Sequence, residues 1–218
     1  MTGNPHLAAP PVLAGAPLES AAAAAVLAHG RGHGAEEILA LVERLALSDV
    51  AYVIPLAAER SWYPERFIEP VRANEPRLGQ ALEAYEAAVQ HALGAGVPLE
   101  RLVVGGFSQG ACLTAELVAR RPRRYGGVAL LTGGLIGTDD ELTTPAGRLD
   151  GVPVLAATSS RDSWVPLARV HETVRILRAA GADVTVSVED DPEHHVSDRA
   201  LEATRTLIAH VASTPVRP

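Results

Sequence analysis

Lysine is missing from this chain, and all 19 of its basic residues are arginines. That absence removes Schiff-base catalysis and the phosphate-cradling loop ending in Gly-Lys-Ser/Thr, because both need an ε-amino group. Cysteine occurs once, at Cys112, so no intramolecular disulfide can form; its apolar helical surroundings read as the site of a small buried hydrophobe. Positive charge is also scarce: 26 acidic residues give a net charge of -7, and no basic patch is concentrated anywhere. This disfavours nucleic acid, polyphosphate partners and anionic lipid surfaces. No apolar run reaches the ~18 to 20 residues of a membrane span. Ala21 to Ala28 is the only leader-like segment, but it is short and has no Lys or Arg upstream, so a cytoplasmic protein is expected.

What is present is enough apolar material for one core: 218 residues, of which 47% are hydrophobic. Residues 1–20 are rich in Pro, Gly and Ala and read as an irregular lead-in, ending in at most a short edge strand. Residues 21–218 read as a single domain in which strands and helices alternate. Apolar runs at Ala24 to Ala28, Val50 to Leu56, Leu102 to Phe107, Gly127 to Leu131, Val152 to Ala157 and Val184 to Val188 have the length and composition of strands buried on both faces. Between them, stripes such as Ile38, Leu41, Val42 and Leu45, or Leu201, Thr204, Ile208 and Val211, fall on one face of a helix. Such alternation predicts a mostly parallel sheet of about six to seven strands, helices on both faces, and ligands at the carboxyl ends of the strands. No insertion is long enough for a lid domain.

One motif carries chemistry. Gly106-Phe107-Ser108-Gln109-Gly110 follows the strand Leu102 to Gly105 and precedes a helix from Ala111 to Arg120, stopped by Pro122. Gly-x-Ser-x-Gly alone is a weak signal, but strand, turn and helix in that order define a nucleophile elbow on an α/β-hydrolase fold. A serine hydroxyl needs a base to take its proton and a carboxylate to hold that base in the right tautomer. Asp162, shortly after the strand Val152 to Ala157, lies at the carboxyl edge of the sheet; Asp183 would lie at the wrong edge, and Asp190 and Asp191 belong to the next loop. That loop contains His194 and His195, one of which is the expected base. The residues alone do not choose between them. His29 and His33 could suggest a metal pair, but a glycine-rich loop lacks the helical i, i+4 face such a pair uses, so no metal is expected. Gly30-Arg31-Gly32-x-Gly34 lacks the spacing of a dinucleotide fingerprint, so no cofactor is expected either.

Taken together, Ala28-His29-Gly30-Arg31-Gly32, Ser61-Trp62-Tyr63-Pro64, the elbow with Ala111, Arg124-Tyr125-Gly126-Gly127, Gly133-Gly134-Leu135-Ile136-Gly137, and Asp162 with Val165-Pro166 resemble the phospholipase/carboxylesterase family of small α/β-hydrolases, which includes the acyl-protein thioesterases. The resemblance runs from about Ala24 to about Leu207. It implies that His194 is the base, with His195 at a threonine position of the family pattern. It also implies an oxyanion hole built from the backbone N–H groups of Arg31 and Gln109, whose side chains are read as incidental. The chain departs from the family where Glu189-Asp190-Asp191 replaces Tyr-Pro-Gly, and acidic charge so close to the base is expected to favour the imidazolium form of His194. Trp62 and Trp164, in loops after strands, are expected to line an acyl site.

The sequence therefore points to a cofactor-independent hydrolase of small to medium carboxylic esters or thioesters, using Ser108, Asp162 and His194. A lactone or dienelactone hydrolase differs in substrate more than in machinery, and a small-ligand-binding protein on the same fold is the rival from another class.

Overall fold

The computed structural model describes residues 3–214; the expected lead-in begins, and the expected domain ends, outside that range. Seven strands form one sheet in the order β1-β3-β2-β4-β5-β6-β7. They are β1 (Val12–Gly15), β2 (Ala23–Ala28), β3 (Val50–Ile54), β4 (Leu102–Phe107), β5 (Gly127–Leu131), β6 (Pro153–Ser159) and β7 (Asp183–Glu189). β1 runs antiparallel to β3 at the sheet edge, and every other pairing is parallel. The helices are α1 (Ala35–Leu45), a single turn α2 (Val71–Asn74), α3 (Arg77–Gly94), α4 (Gln109–Arg120), α5 (Leu167–Ala179) and α6 (Asp198–Ser213). This is the α/β-hydrolase arrangement that the alternating runs predict.

β2, β3, β4 and β5 are buried at every residue, as strands covered on both faces must be. Successive side chains then feed two cores. Ala24, Val26 and Ala28 pack with α3, α4 and α5 on one face, whereas Ala23, Ala25 and Leu27 pack with α1 and α6 on the other. The abundance of alanine in β2 lets the covering helices approach closely. Tyr85 of α3 reaches into the sheet, where its Oη accepts the Gly105 N–H at 2.9 Å, so the strand is fixed just ahead of the turn that follows it.

The strand order positions the site. From β2 the chain moves outward to β3 and then returns to place β4 on the other side of β2, so the winding reverses between β2 and β4. Loops leave those two neighbouring carboxyl ends in opposite directions and open a crevice there. Ala28 is paired with Gly106, which sets the His29-Gly30-Arg31 loop beside the elbow. At the other end of the site Ser159 of β6 is paired with Glu189 of β7, which brings the loops carrying Asp162 and His194 together. Within the stretch read as a lead-in, a 3-10 turn at Pro5–Leu7 and the edge strand β1 are ordered against the domain.

Candidate active site

β4 ends at Phe107 and α4 begins at Gln109, so the whole reversal falls on Ser108, which has φ 54° and ψ -119°. A side-chain-bearing residue in such a conformation costs roughly 1–3 kcal/mol and persists only where its surroundings dictate it. Here the Ser108 N–H donates to Leu131 O at 2.9 Å, and the Ser108 carbonyl accepts the Cys112 N–H at 3.0 Å. The two flanking glycines are needed for close approach: a Cβ on Gly106 would lie 2.6 Å from the carbonyl oxygen of Ala28, and one on Gly110 would lie 2.1 Å from the same atom. The elbow is thus pressed against the end of β2, with Ser108 at the N-terminus of α4.

His194 joins the other two groups. Its Nε2 lies 2.7 Å from Ser108 Oγ and its Nδ1 lies 2.6 Å from Asp162 Oδ2. An ionised carboxylate only accepts, so Nδ1 carries the proton and Nε2 is left to accept the Ser108 hydroxyl. The Asp162 side chain is fully buried, and its other oxygen accepts the N–H groups of Trp164 at 2.7 Å and Val165 at 2.9 Å. The Phe107 ring stands 5.0 Å from the imidazole, centroid to centroid, and packs it in place. Such a chain of groups can draw a proton from a hydroxyl as the hydroxyl attacks, and can return it to a departing group.

His195 points elsewhere. It pairs with Asp191 at 3.0 Å and with Glu193 at 3.7 Å, away from Ser108 Oγ. The carboxylates of the acidic segment are engaged by other partners. Glu189 accepts the Ser197 hydroxyl, Asp190 pairs with Arg161 at 2.6 Å, and Asp191 takes His195 and the Glu193 N–H. These partners all lie in or beside the loop, and among the described residues the one carboxylate bonded to His194 is Asp162.

A cleft of about 460 Å³ opens at Ser108, lined among others by Arg31, Tyr63, Phe67, Gln109, Trp164 and His194. A second groove, of about 360 Å³, shares Arg31, Ser108 and His194 with it and is lined by Ile38, Leu41 and Phe107 together with Glu37 and Arg44. Trp164 is 63% exposed at the cleft wall, as expected of it. Trp62 is a correction, because its side chain is wholly buried and does not reach the cleft. Its indole N–H donates to His29 O at 2.8 Å, and its ring packs against His29 and His6. Tyr63 and Phe67, both buried, line the cleft in its stead, a choice that nothing in their spacing announces.

The side chains of Arg31 and Gln109 are not incidental either. Gln109 accepts the Trp62 N–H at 2.9 Å and donates to Tyr63 O at 2.8 Å, stapling the 61–63 loop to the first turn of α4. Arg31 donates to Pro64 O at 2.5 Å and to Glu65 O, and its guanidinium sits 5.9 Å from the Tyr63 ring centroid. The backbone N–H of Gln109, in the first turn of α4, has no acceptor within the helix, which leaves it available to a ligand oxygen.

His29 and His33 do not form a pair. His29 is buried, with Nδ1 2.8 Å from Gly30 O and Nε2 accepting the Ala57 N–H at 3.1 Å; burial holds its pKa below the ordinary histidine value. His33 lies 3.6 Å from Glu37. Glu37 is a residue that sequence reasoning passed over: its carboxylate accepts the Gly30 N–H at 2.6 Å, and burial raises its pKa above the usual carboxylate range. As the third residue of α1 it looked like an ordinary solvated acid. Among the described residues no cluster of His, Cys, Asp or Glu has the makings of a metal site.

Fold and site together define an α/β-hydrolase with a nucleophile elbow. Residues 15–212 match the phospholipase/carboxylesterase family, and the chain belongs to it. The crystal structure of a phospholipase/carboxylesterase from Dyadobacter fermentans is 36% identical, with a TM-score of 0.87 over 92% of this chain and 96% of that one. The Bacillus cereus carboxylesterase, 20% identical, shares the fold with a TM-score of 0.72 over 92% and 93% of the two chains. Among curated proteins, acyl-protein thioesterase 1 of Yarrowia lipolytica is 27% identical over 51% of this chain and 56% of its own length. The chain thus spans about half the length of the curated relatives it matches.

Proposed function

We propose that this protein hydrolyses carboxylic esters or thioesters of small to medium acyl groups through an acyl-enzyme on Ser108. The observation that carries the reading is the unbroken relay of 2.7 Å and 2.6 Å contacts from Ser108 through His194 to Asp162, beside an open cleft. Ser108 Oγ attacks the carbonyl carbon as its proton passes to His194 Nε2. Asp162 stabilises the imidazolium so formed. The negative charge that develops on the carbonyl oxygen is met by the backbone N–H groups of Gln109 and Arg31, donors fixed in advance by a helix end and a braced loop. Collapse of the tetrahedral species expels the alkoxide or thiolate, which takes the proton from His194; water then repeats the sequence in reverse roles and frees the acid. Trp164, with Tyr63 and Phe67, provides the apolar wall against which the substrate lies.

The test is labelling with a fluorophosphonate probe, alongside turnover of a chain-length series of p-nitrophenyl esters and acyl thioesters. The wild-type protein should be labelled on Ser108 and should hydrolyse members of the series, and Ser108→Ala should lose both. Undiminished turnover by Ser108→Ala refutes the reading.

A further inference from the structure

The charge of the cleft runs against that of the protein. The chain carries 26 acidic and 19 basic residues, yet the lining of the 460 Å³ cleft includes Arg31 and Arg66 and not one Asp or Glu. Ten of the 18 described arginines pair with a carboxylate; Arg31 and Arg66 are among the eight that do not, and they are the two that line this cleft. Arg31 is braced by backbone carbonyls alone, which fix where its guanidinium sits and leave its charge without a counter-ion. Arg66 is exposed two residues past Pro64, and among the described residues its side chain has no hydrogen-bond or ion-pair partner.

Two unneutralised guanidinium groups against an aromatic wall focus positive potential into the cleft, where low-dielectric side chains screen it less than open water would. Their planar N–H donors match the paired oxygens of a carboxylate or phosphate. The neighbouring groove, which shares Arg31 and Ser108 with the cleft, adds the apolar side chains Ile38, Leu41 and Phe107 beside Glu37 and Arg44. We infer that the substrate is an ester or thioester bearing a second, anionic group: its apolar part follows that groove, and its carboxylate or phosphate is held by Arg31 and Arg66. The inference rests on the reading of Ser108 as the nucleophile. It also accounts for the absence of Asp and Glu from the cleft lining, because a cleft lined by carboxylates would repel such a substrate.

The experiment compares three anionic esters with neutral references. Monoethyl adipate carries the anion on the acyl side and is set against ethyl hexanoate; 6-butyryloxyhexanoate and 6-butyryloxyhexyl phosphate carry a carboxylate or a phosphate on the alcohol side and are set against hexyl butyrate. At low salt, kcat/KM should favour at least one anionic ester over its reference by about tenfold or more. The ratio should shrink as ionic strength rises. In Arg66→Glu it should fall to about one or below, with Arg66→Gln intermediate; Arg66 is on the surface, and circular dichroism checks that the fold is kept. Neutral esters preferred throughout, or a ratio unmoved in Arg66→Glu, overturns the inference while leaving the hydrolase reading intact. A Ser108 that takes no fluorophosphonate overturns both. If Ser108 is labelled but no ester turns over, protection decides: adipate or hexyl phosphate should slow labelling where 1,6-hexanediol does not, and equal protection overturns the inference.

Discussion

The carboxylate of Glu37 accepts the backbone N–H of Gly30 at 2.6 Å, so the first turn of α1 holds the loop that runs beside Ser108. The grip has a direction. With the Gly30 N–H drawn toward α1, the next peptide, whose N–H belongs to Arg31, is free to face the cleft.

Removing that grip should weaken stabilisation of the developing oxyanion. Glu37→Ala is expected to lower kcat about tenfold to a hundredfold with a smaller change in KM, since a donor is misdirected and substrate contacts are kept. Glu37→Gln, which retains an acceptor oxygen, should recover part of the loss. Because burial raises the Glu37 pKa, the grip is strongest above that pKa and weakens as pH falls through it, so kcat of the wild-type enzyme should fall more steeply toward acid than that of Glu37→Gln. Steady-state rates across pH for the three proteins check this, and a wild-type kcat in Glu37→Ala would refute it.

The adjacent histidines should separate sharply. Only His194 touches both Ser108 and Asp162, whereas His195 is engaged by Asp191. His194→Ala should therefore cost several orders of magnitude in kcat and His195→Ala about tenfold or less, a split of more than about 3 kcal/mol in transition-state stabilisation. Hydrolysis of one chromogenic ester by both folded variants measures it, and the reverse ranking would move the base to His195.

Strain at the elbow should be visible without any chemistry. Ser108→Gly and Ser108→Ala both lack the hydroxyl, but only glycine adopts φ 54°, ψ -119° without a Cβ penalty. The glycine variant is expected to be the more stable by about 1 kcal/mol in urea unfolding, although both are inactive. A more stable alanine variant would show that the turn is not strained.

Stability should also depend on pH through His6 and His29. Burial lowers both pKa values below the ordinary histidine value of 6.5. In the window below that value the unfolded chain binds protons that the native chain refuses, so stability is complete above the window and is lost as pH falls through it. His6 stacks on Trp62 with ring centroids 5.6 Å apart and accepts the Ala58 N–H at 2.9 Å, a neutral role. The midpoint of thermal unfolding should drop between about pH 7.5 and 5.5, with a shallower slope in His6→Gln. An unchanged slope would remove His6 from the account.

Local pattern was enough for much of this. A short apolar run such as Leu102 to Phe107, bounded by a turn signal, reads as a strand buried on both faces, because its length suits a strand rather than a helix. The elbow is equally legible, since strand, two glycines around a serine, and helix impose a steric solution within a few residues of one another. What local pattern does not contain is direction across the fold. Trp62 and Tyr63 are neighbours with similar chemistry and both are buried, and only packing against His29 and His6 decides that the first stays out of the cleft lining to which the second belongs. The same holds for charge. Glu189-Asp190-Asp191 reads only as acidic charge near the base, and which partner each takes, Arg161 from the preceding loop and Ser197 and His195 from the residues that follow, shows only in the fold. Alternation of strands and helices, the nucleophile and its edge of the sheet were thus determined by the sequence itself. Which side chains meet at that edge, and which arginines are left without partners there, was decided only by the tertiary structure, because a side chain's partners depend on distances between loops that strand pairing, not chain proximity, brings together.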